Sequence, residues 1–388
     1  MINDVNAYLR ELKGFYREQA VNSLNFWLRH GIDWEMKGIV TSVDREGKWF
    51  DDKKNGWFTG RSMFSFARGY NSIDPCERWL DAAVCIYDFL TAHQFAPDGR
   101  LYLSMSRSGE PIGDALQDTL HSESFAIMGL SELYRATGRQ DVRETLMKVF
   151  DMQQFIYHNP DYVTTGQKNT SGGQPKVTLP WLMTLMCSAQ TMREALPERA
   201  AQCSEEISGY IGEIYKHHFN KELDTIMEHA IDDPGHNMEV AWFILAEGLY
   251  IQNREYVERG AKYINDVYDY GWDHEAGGLF GRKNMFDRSE LPADLKKSWW
   301  PCNEVENGLL YAYIGTGDIA YLEKFQNVHE WVFAHFLDPE YGEWYGSLNR
   351  DGTPVNTHKG SFYKGPFHTC RSFFAIYEIL DAYLKKAG

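Results

Sequence analysis

The stretch FWLRHGIDWEMKGIVTSVDREGK, residues 26–48, joins an aromatic helix end to an acidic residue, a glycine and a short run of alternating polar and apolar residues. The same order of features returns five times, most clearly as VFAHFLDPEYGEWYGSLNRDGTP at residues 332–354. A polar marker follows each aromatic helix end, and successive markers are 65, 63, 59, 53 and 65 residues apart: Asp33, Asp98, Asp161, Asn220, Asp273 and Asp338. Six repeats therefore account for the whole chain.

Each repeat has room for two helices and a loop. The stretches between the loops have helical periodicity, whereas the pieces that end in DREG, SRSG and NRDG are typical of short β-hairpins or turns. Six helical hairpins can stack as an open solenoid or close into a ring, and a closed ring needs no capping repeats. Because the terminal repeats are as aromatic as the middle ones, closure into a ring is favoured, and the sequence predicts a closed all-α fold. This fold is an (α/α)6 barrel formed by residues 1–388 as a single domain, with short β-hairpin loops at one end.

The overall charge argues against several classes of partner. A formal net charge of −16 without a cluster of Lys and Arg argues against binding to nucleic acid or to an anionic membrane. The N-terminal segment is polar and no run approaches about 18 apolar residues, so we expect no signal peptide, no membrane span and a cytoplasmic location. Six cysteines without a CxxC pair are expected to be reduced core thiols, and no spacing predicts a metal site.

Aromatic residues make up 15% of the chain. Most of them must pack in the core. The excess also suits a carbohydrate pocket, in which flat rings cover the C–H face of a sugar and polar groups orient the ligand. The composition is therefore compatible with a small-molecule sugar as the partner.

A polar residue stands at the same phase of five repeats, where a helix begins after the loop. These residues are one, two, one and one repeat lengths apart: Arg61, Glu123, His236, Glu304 and His368. Residues at equal phase in a closed repeat lie on a ring about its axis, so we expect them to converge at one end of the barrel. His236 and His368 also share their local pattern, because Gly and Pro precede both and a polar residue follows three positions later, Glu239 or Arg371.

Two histidines that face one cavity from different directions favour proton transfer at carbon. Histidine titrates near neutrality, so it can take a proton and return it. His236 and His368 could remove a proton from one face of a carbon beside a carbonyl and replace it on the other face, which inverts that centre. The predicted supporting groups are an arginine for the oxyanion, acids that orient a histidine or hold a hydroxyl, and an indole pair as the pocket floor: Arg61, Glu239, Glu304, Trp299 and Trp300.

The residues at these helix starts resemble the N-acylglucosamine 2-epimerase family. The phrases that carry the resemblance run in order from the first repeat to the last: FTGRSMF, SESFAIM, PGHNMEVAWF, KKSWWPCNE, DPEYGEWYGSLNRDG and YKGPFHTCR. The resemblance implies an (α/α)6 barrel, commonly a homodimer, that interconverts C2 epimers of an open-chain sugar without a redox cofactor. It also implies that His236 and His368 are the catalytic bases. The predicted substrate-binding residues are Arg61, Glu123, Glu239, Trp299, Trp300, Glu304 and Arg371.

The sequence leaves several alternatives open. N-acetyl-D-glucosamine and N-acetyl-D-mannosamine are the expected epimers. The family pattern typically has a histidine where this chain has Cys302, which predicts that position 302 affects the preference for an acetamido group. The alternatives are a 2-epimerase of a free hexose such as mannose, an aldose–ketose isomerase, a glycoside hydrolase that uses Glu123 and Glu304, and a non-catalytic binding protein. Modulation by a nucleotide such as ATP, which occurs in some family members, is also left open.

Overall fold

The computed structural model describes residues 4–113, 115–116, 119–159, 163–164, 167–168, 170–171, 174–175 and 177–387. Within these residues a π-helix spans Leu90–Gln94 and a 3-10 helix spans Pro197–Arg199. The described residues also form twelve α-helices: α1 Val5–His30, α2 Gly56–Ser72, α3 Glu77–Phe89, α4 His121–Thr137, α5 Gln140–His158, α6 Leu179–Ala195, α7 Ala200–His218, α8 Pro234–Tyr250, α9 Arg254–Gly271, α10 Trp299–Thr316, α11 Ile319–His335 and α12 His368–Ala387. None of the helices in this part of the chain is long and apolar enough to cross a membrane.

The strands in the described residues are two residues long and pair only in antiparallel twos. Three pairs join distant loops, namely β1 with β2, β9 with β10 and β11 with β12, and the others are local hairpins. Their bounds are β1 Lys54–Asn55, β2 Ser104–Met105, β3 Val163–Thr164, β4 Gln167–Lys168, β5 Thr170–Ser171, β6 Gln174–Pro175, β7 Phe219–Asn220, β8 Thr225–Ile226, β9 Ile231–Asp232, β10 Lys283–Asn284, β11 Lys297–Ser298 and β12 Ser347–Leu348. Helices joined by short β-loops are therefore the dominant architecture, as the repeats predicted.

The chain divides into two compact units. The first comprises Met1–Ser23, Ile214–His358 and His368–Gly388, and the second comprises Leu24–Glu213 and Lys359–Phe367. The first unit contains α8 to α12, with α8 and α10 packed together and α12 packed on α10. The second unit contains α2 to α6, in which α4 packs against both α2 and α6. The single domain predicted over residues 1–388 stays a prediction.

Close packing of α2 and α4 in the second unit depends on a glycine. A Cβ at Gly60 would overlap the backbone of Phe125, so only glycine allows the two helices to approach this closely. The next residue on α2 is Arg61, which is thereby placed beside the ring of Phe125. The repeat thus uses a small residue to bring one predicted site residue against an aromatic neighbour.

The repeat markers share one structural role. Their side chains accept backbone N–H groups two or three residues ahead, which closes the turn after a helix: Asp33, Asp98, Asn220, Asp273 and Asp338. The sixth marker, Asp161, lies outside the described residues. Because the described markers all close a turn, the recurring sequence pattern corresponds to a recurring loop structure.

Candidate active site

Helix α8 begins with the sequence Pro-Gly-His. Asp233 caps it by accepting the backbone N–H groups of Gly235 at 3.0 Å and His236 at 3.4 Å, and Pro234 occupies the first turn. Gly235 is required for packing, because a Cβ at this position would lie 2.5 Å from the ring of Trp300. Because glycine has no Cβ, the indole of Trp300 can lie against the helix start. The ring centroids of Trp300 and His236 are 5.2 Å apart.

His236 is surrounded by acidic side chains. Its Nδ1 lies 3.0 Å from Oε2 of Glu228 and 3.7 Å from Oδ2 of Asp233. Burial lowers the pKa of His236, but the hydrogen bond to Glu228 and the charges of Asp233 and Glu239 outweigh this effect and raise the pKa to about 9. His236 therefore carries a proton at neutral pH in the free protein.

The second histidine, His368, is the first residue of α12 and is buried. Its Nδ1 lies 2.8 Å from Oε1 of Glu304 on α10. If Nδ1 donates its hydrogen to this carboxylate, a neutral imidazole has its lone pair on Nε2, where a general base requires it. Arg371, one turn along α12, donates to the same Glu304 oxygen at 2.6 Å and also to Glu239. The two buried carboxylates are thus bridged by one guanidinium.

The other oxygen of Glu304 is also engaged. Oε2 accepts from Nε1 of Trp242 at 3.0 Å and from Nδ2 of Asn307 at 3.3 Å. Donors from α8, α10 and α12 therefore hold this carboxylate. A buried carboxylate held in this way keeps a fixed orientation and can hold the imidazole that donates to it.

The two indoles at the start of α10 lie beside the histidines. The ring of Trp300 is 5.4 Å from that of His368, so this one indole contacts both His236 and His368. Trp299 approaches His368 edge-on, with the ring centroids 6.4 Å apart. Both indoles remain partly exposed, and their predicted role as the floor of a sugar pocket stays a prediction.

The described residues contain one group of acidic and histidine side chains close enough to hold a metal ion. The ligand atoms of Glu239, Glu304 and His368 all lie within 4.8 Å of one another. However, the guanidinium of Arg371 already donates to both carboxylates and supplies the compensating positive charge. The donor set therefore fits an arginine-bridged acid pair better than a metal centre, and the predicted lack of a metal stays a prediction.

Arg61 lies in the second compact unit, in an aromatic cage. Its guanidinium carbon is 3.9 Å from the ring centroid of Phe125 and 4.6 Å from that of Phe367. Trp57 and Phe58 complete the cage at 5.4 and 5.6 Å. Aromatic faces stabilise a cation without neutralising it, so the cage is compatible with a charged guanidinium.

Glu123, also in the second unit, is fully buried. Its Oε1 accepts from Nε of Arg100 at 2.6 Å and from the backbone N–H of Leu101 at 2.9 Å. These contacts describe a structural ion pair that anchors the preceding loop to α4. The predicted contact of Glu123 with substrate stays a prediction, without support from these contacts.

Some site residues were not anticipated from the sequence. Trp242 and Asn307 each lie three residues after a predicted acid, Glu239 or Glu304, so helical spacing could have found them. Glu228 stands in a loop eight residues before His236, and no periodicity marks it.

The predicted effect of position 302 on the preference for an acetamido group stays a prediction, and the side chain of Cys302 itself is not at the surface. Cys302 is fully buried, and its Sγ lies 3.5 Å from the backbone nitrogen of Leu279, which donates to it. Burial raises the pKa of the thiol to about 12, so it stays protonated. Its side chain belongs to the core beneath the helix start.

The all-α repeat fold thus places two carboxylate-bound histidines against one indole. The family model described as N-acylglucosamine 2-epimerase (GlcNAc 2-epimerase) matches residues 38–365. N-acylglucosamine 2-epimerase of Bos taurus is 31% identical, over 97% of this chain and 93% of that protein. The corresponding enzyme of Homo sapiens is 30% identical with the same coverage, 97% and 93%. The chain belongs to the N-acylglucosamine 2-epimerase family.

Solved structures share the fold. Cellobiose 2-epimerase from Bacillus thermoamylovorans B4167 superposes with a TM-score of 0.81 at 21% identity, covering 96% of this chain and 100% of that one. A D-mannose isomerase superposes with a TM-score of 0.81 at 17% identity, covering 94% and 97%. The predicted family and the predicted α/α-barrel fold class are confirmed. The chain is an isomerase, specifically a sugar 2-epimerase.

Proposed function

We propose that the chain interconverts N-acetyl-D-glucosamine and N-acetyl-D-mannosamine by proton transfer between C2 of the open-chain sugar and two histidines. The observation that carries the proposal is that His236 and His368 each bind a carboxylate through Nδ1 while both contact the indole of Trp300. The substrate class rests on the N-acylglucosamine 2-epimerases at 31% and 30% identity. Cellobiose 2-epimerases are less similar, at 21% and 24%.

In the first half of the proposed reaction, Nε2 of neutral His368 removes the proton from C2. The electron pair of the C2–H bond forms the C1–C2 double bond, and the carbonyl electron pair moves to O1. Glu304 stabilises the imidazolium that forms, since it already accepts the Nδ1 hydrogen at 2.8 Å. Arg61, whose guanidinium lies in the aromatic cage, is proposed to stabilise the negative charge on O1.

In the second half, His236 donates its proton to the opposite face of C2. The carbonyl re-forms at C1 as the double-bond electrons take up this proton, and the other epimer results. His236 is then neutral and His368 protonated. This is the state that the reverse reaction requires, and exchange with water restores the starting state.

Proton NMR in deuterated water tests the proposed function. N-acetylglucosamine, N-acetylmannosamine, cellobiose and mannose are incubated separately with the enzyme. We expect deuterium at C2 and appearance of the other epimer for the two acetamido sugars. Ketose formation from mannose would instead identify an aldose–ketose isomerase, and absence of C2 exchange in all four sugars would contradict epimerisation of any of them.

A further inference from the structure

Glu228 is a half-buried acid in the first unit to which the reaction as described gives no role. Its side chain is 15% exposed, and Oε2 lies 3.0 Å from Nδ1 of His236. The arrangement parallels the Glu304–His368 pair, in which a carboxylate also accepts from Nδ1. The parallel is chemical only, because Glu304 lies within helix α10 whereas Glu228 lies in the loop before α8.

A turn fixes the position of Glu228. Oδ1 of Asp232 accepts the backbone N–H groups of Glu228 at 2.8 Å, His229 at 3.2 Å and Asp233 at 3.1 Å. The other carboxylate oxygen of Asp232, Oδ2, accepts a hydrogen bond from the side chain of Asn237 on α8. The pairing of β9 with β10 holds the same segment from outside. The loop is thus attached to the first turn of α8, so Glu228 approaches His236 from a fixed direction.

The other acids near His236, Asp233 and Glu239, accept hydrogen bonds from other groups. Asp233 caps α8 through Oδ1, and its Oδ2 is 3.7 Å from Nδ1, beyond hydrogen-bonding distance. Glu239 accepts from Arg371. Among the acids that face His236, Glu228 is therefore the one placed to orient the ring.

We propose that Glu228 is a positioning residue for the epimerisation, which fixes the tautomer and orientation of His236 so that Nε2 exchanges the proton with C2. This inference rests on the proposed function. Glu228 also stabilises the imidazolium form of His236, so removing its charge should make the proton on His236 easier to lose.

The groups that set this titration lie on several elements. Glu228 and Asp233 face His236 from the loop and Glu239 from α8, while Trp300 contributes a neutral ring from α10. His229 and Arg282 act on Glu228 itself. Of these groups, only Glu228 combines a hydrogen bond to the ring with a negative charge, so its substitution should change both position and proton affinity.

The test compares Glu228→Gln and Glu228→Asp with the native enzyme. The forward reaction starts with the proton on His236, and the reverse reaction starts with it on His368. Both forms of the free enzyme carry one proton on the histidine pair, so kcat/KM has the same pH profile in each direction. For Glu228→Gln we expect kcat to fall at least about tenfold and the basic limb of kcat/KM to move down by about one pH unit. Glu228→Asp keeps the charge but shortens the reach, so we expect a lower kcat with the basic limb nearly unchanged.

Glu222→Gln is the matched control, because Glu222 is an exposed acid of the preceding hairpin in the same unit. It should retain the native kcat and pH profile, and melting temperatures should show that all variants are folded. Native kcat and an unmoved basic limb in Glu228→Gln would overturn the role of Glu228. If the native enzyme exchanged no C2 proton with any sugar, the proposed function itself would fail, which is a different result.

Discussion

Helices α8 and α12 both begin near a carboxylate-bound histidine, yet the two surroundings differ. His368 is buried, and its partner Glu304 is shared with the cation of Arg371. His236 is more exposed and faces the acids Glu228, Asp233 and Glu239, which raise its pKa to about 9. A proton relay across one carbon needs one group that gives a proton while another takes one. In the proposed mechanism, the two histidines therefore acquire different roles from their different neighbours.

The largest effect is expected when the partner of His368 is changed. Glu304→Gln keeps the size of the side chain but removes the charge that holds the His368 imidazolium and half of the support for Arg371. We expect kcat to fall by roughly 10³- to 10⁴-fold, as for other orienting carboxylates of catalytic histidines. Steady-state kinetics with thermal melting measures this, and a loss of less than about tenfold in a folded variant would show that His368 does not depend on Glu304.

A smaller loss of kcat is expected from substitution of Arg61, which is not a carboxylate partner of either histidine. Arg61→Ala should lower kcat by about 10²-fold, because a stabilising charge for the oxyanion is removed. The basic limb of the pH profile should stay in place, in contrast to Glu228→Gln. Circular dichroism and melting temperature provide the check. If they collapse together with activity, Arg61 is a structural residue held by its aromatic cage.

Gly235 tests the indole that the two histidines share. A Cβ at this position would lie 2.5 Å from Trp300, so Gly235→Ala should displace the ring that contacts both imidazoles. We expect kcat/KM to fall by about tenfold and the free energy of unfolding to decrease by about 1–3 kcal/mol, as for other overpacked sites. Unchanged kinetics at reduced stability would mean that the position of Trp300 has no part in catalysis.

The pH profile of the native enzyme sharpens the comparison further. The pKa of His236 is raised from 6.5 to about 9, so its proton is held below that pH and lost as the pH rises through it. Above about pH 9 His236 loses this proton, and we expect kcat/KM to fall about tenfold per pH unit in both directions. A basic limb near pH 7 would contradict the electrostatic setting described for His236.

Much of the site followed from helical spacing. The pairs His236 with Glu239 and His368 with Arg371 lie one turn apart, so the sequence places each pair on one face of a helix. Glu228 could not be found in this way, because a loop has no period and the turn held by Asp232 sets its direction. The burial of Cys302, by contrast, follows from helical geometry. Two positions along a helix turn the side chain away from Trp300 and into the core.

Repeat phase was informative but did not determine side-chain partners. Glu123 occupies the same phase as His236 and His368, yet Arg100 of the preceding loop forms a buried ion pair with it. A partner 23 residues away in the chain is set by tertiary packing, which no local pattern records. The order of helices and the closing turns were predictable because every repeat encodes them again.

His236 and His368 are proposed to serve opposite faces of C2, and deuterium uptake into each pure epimer tests this division most directly. His236→Asn, His368→Asn and the double variant are incubated with each epimer in deuterated water. Each single variant should abolish net conversion, and any residual C2 exchange should favour opposite epimers in the two. The double variant should cost little more than either single one, since groups that act as a unit are not additive. Normal conversion by a single variant, or the same epimer preference in both, would contradict the account.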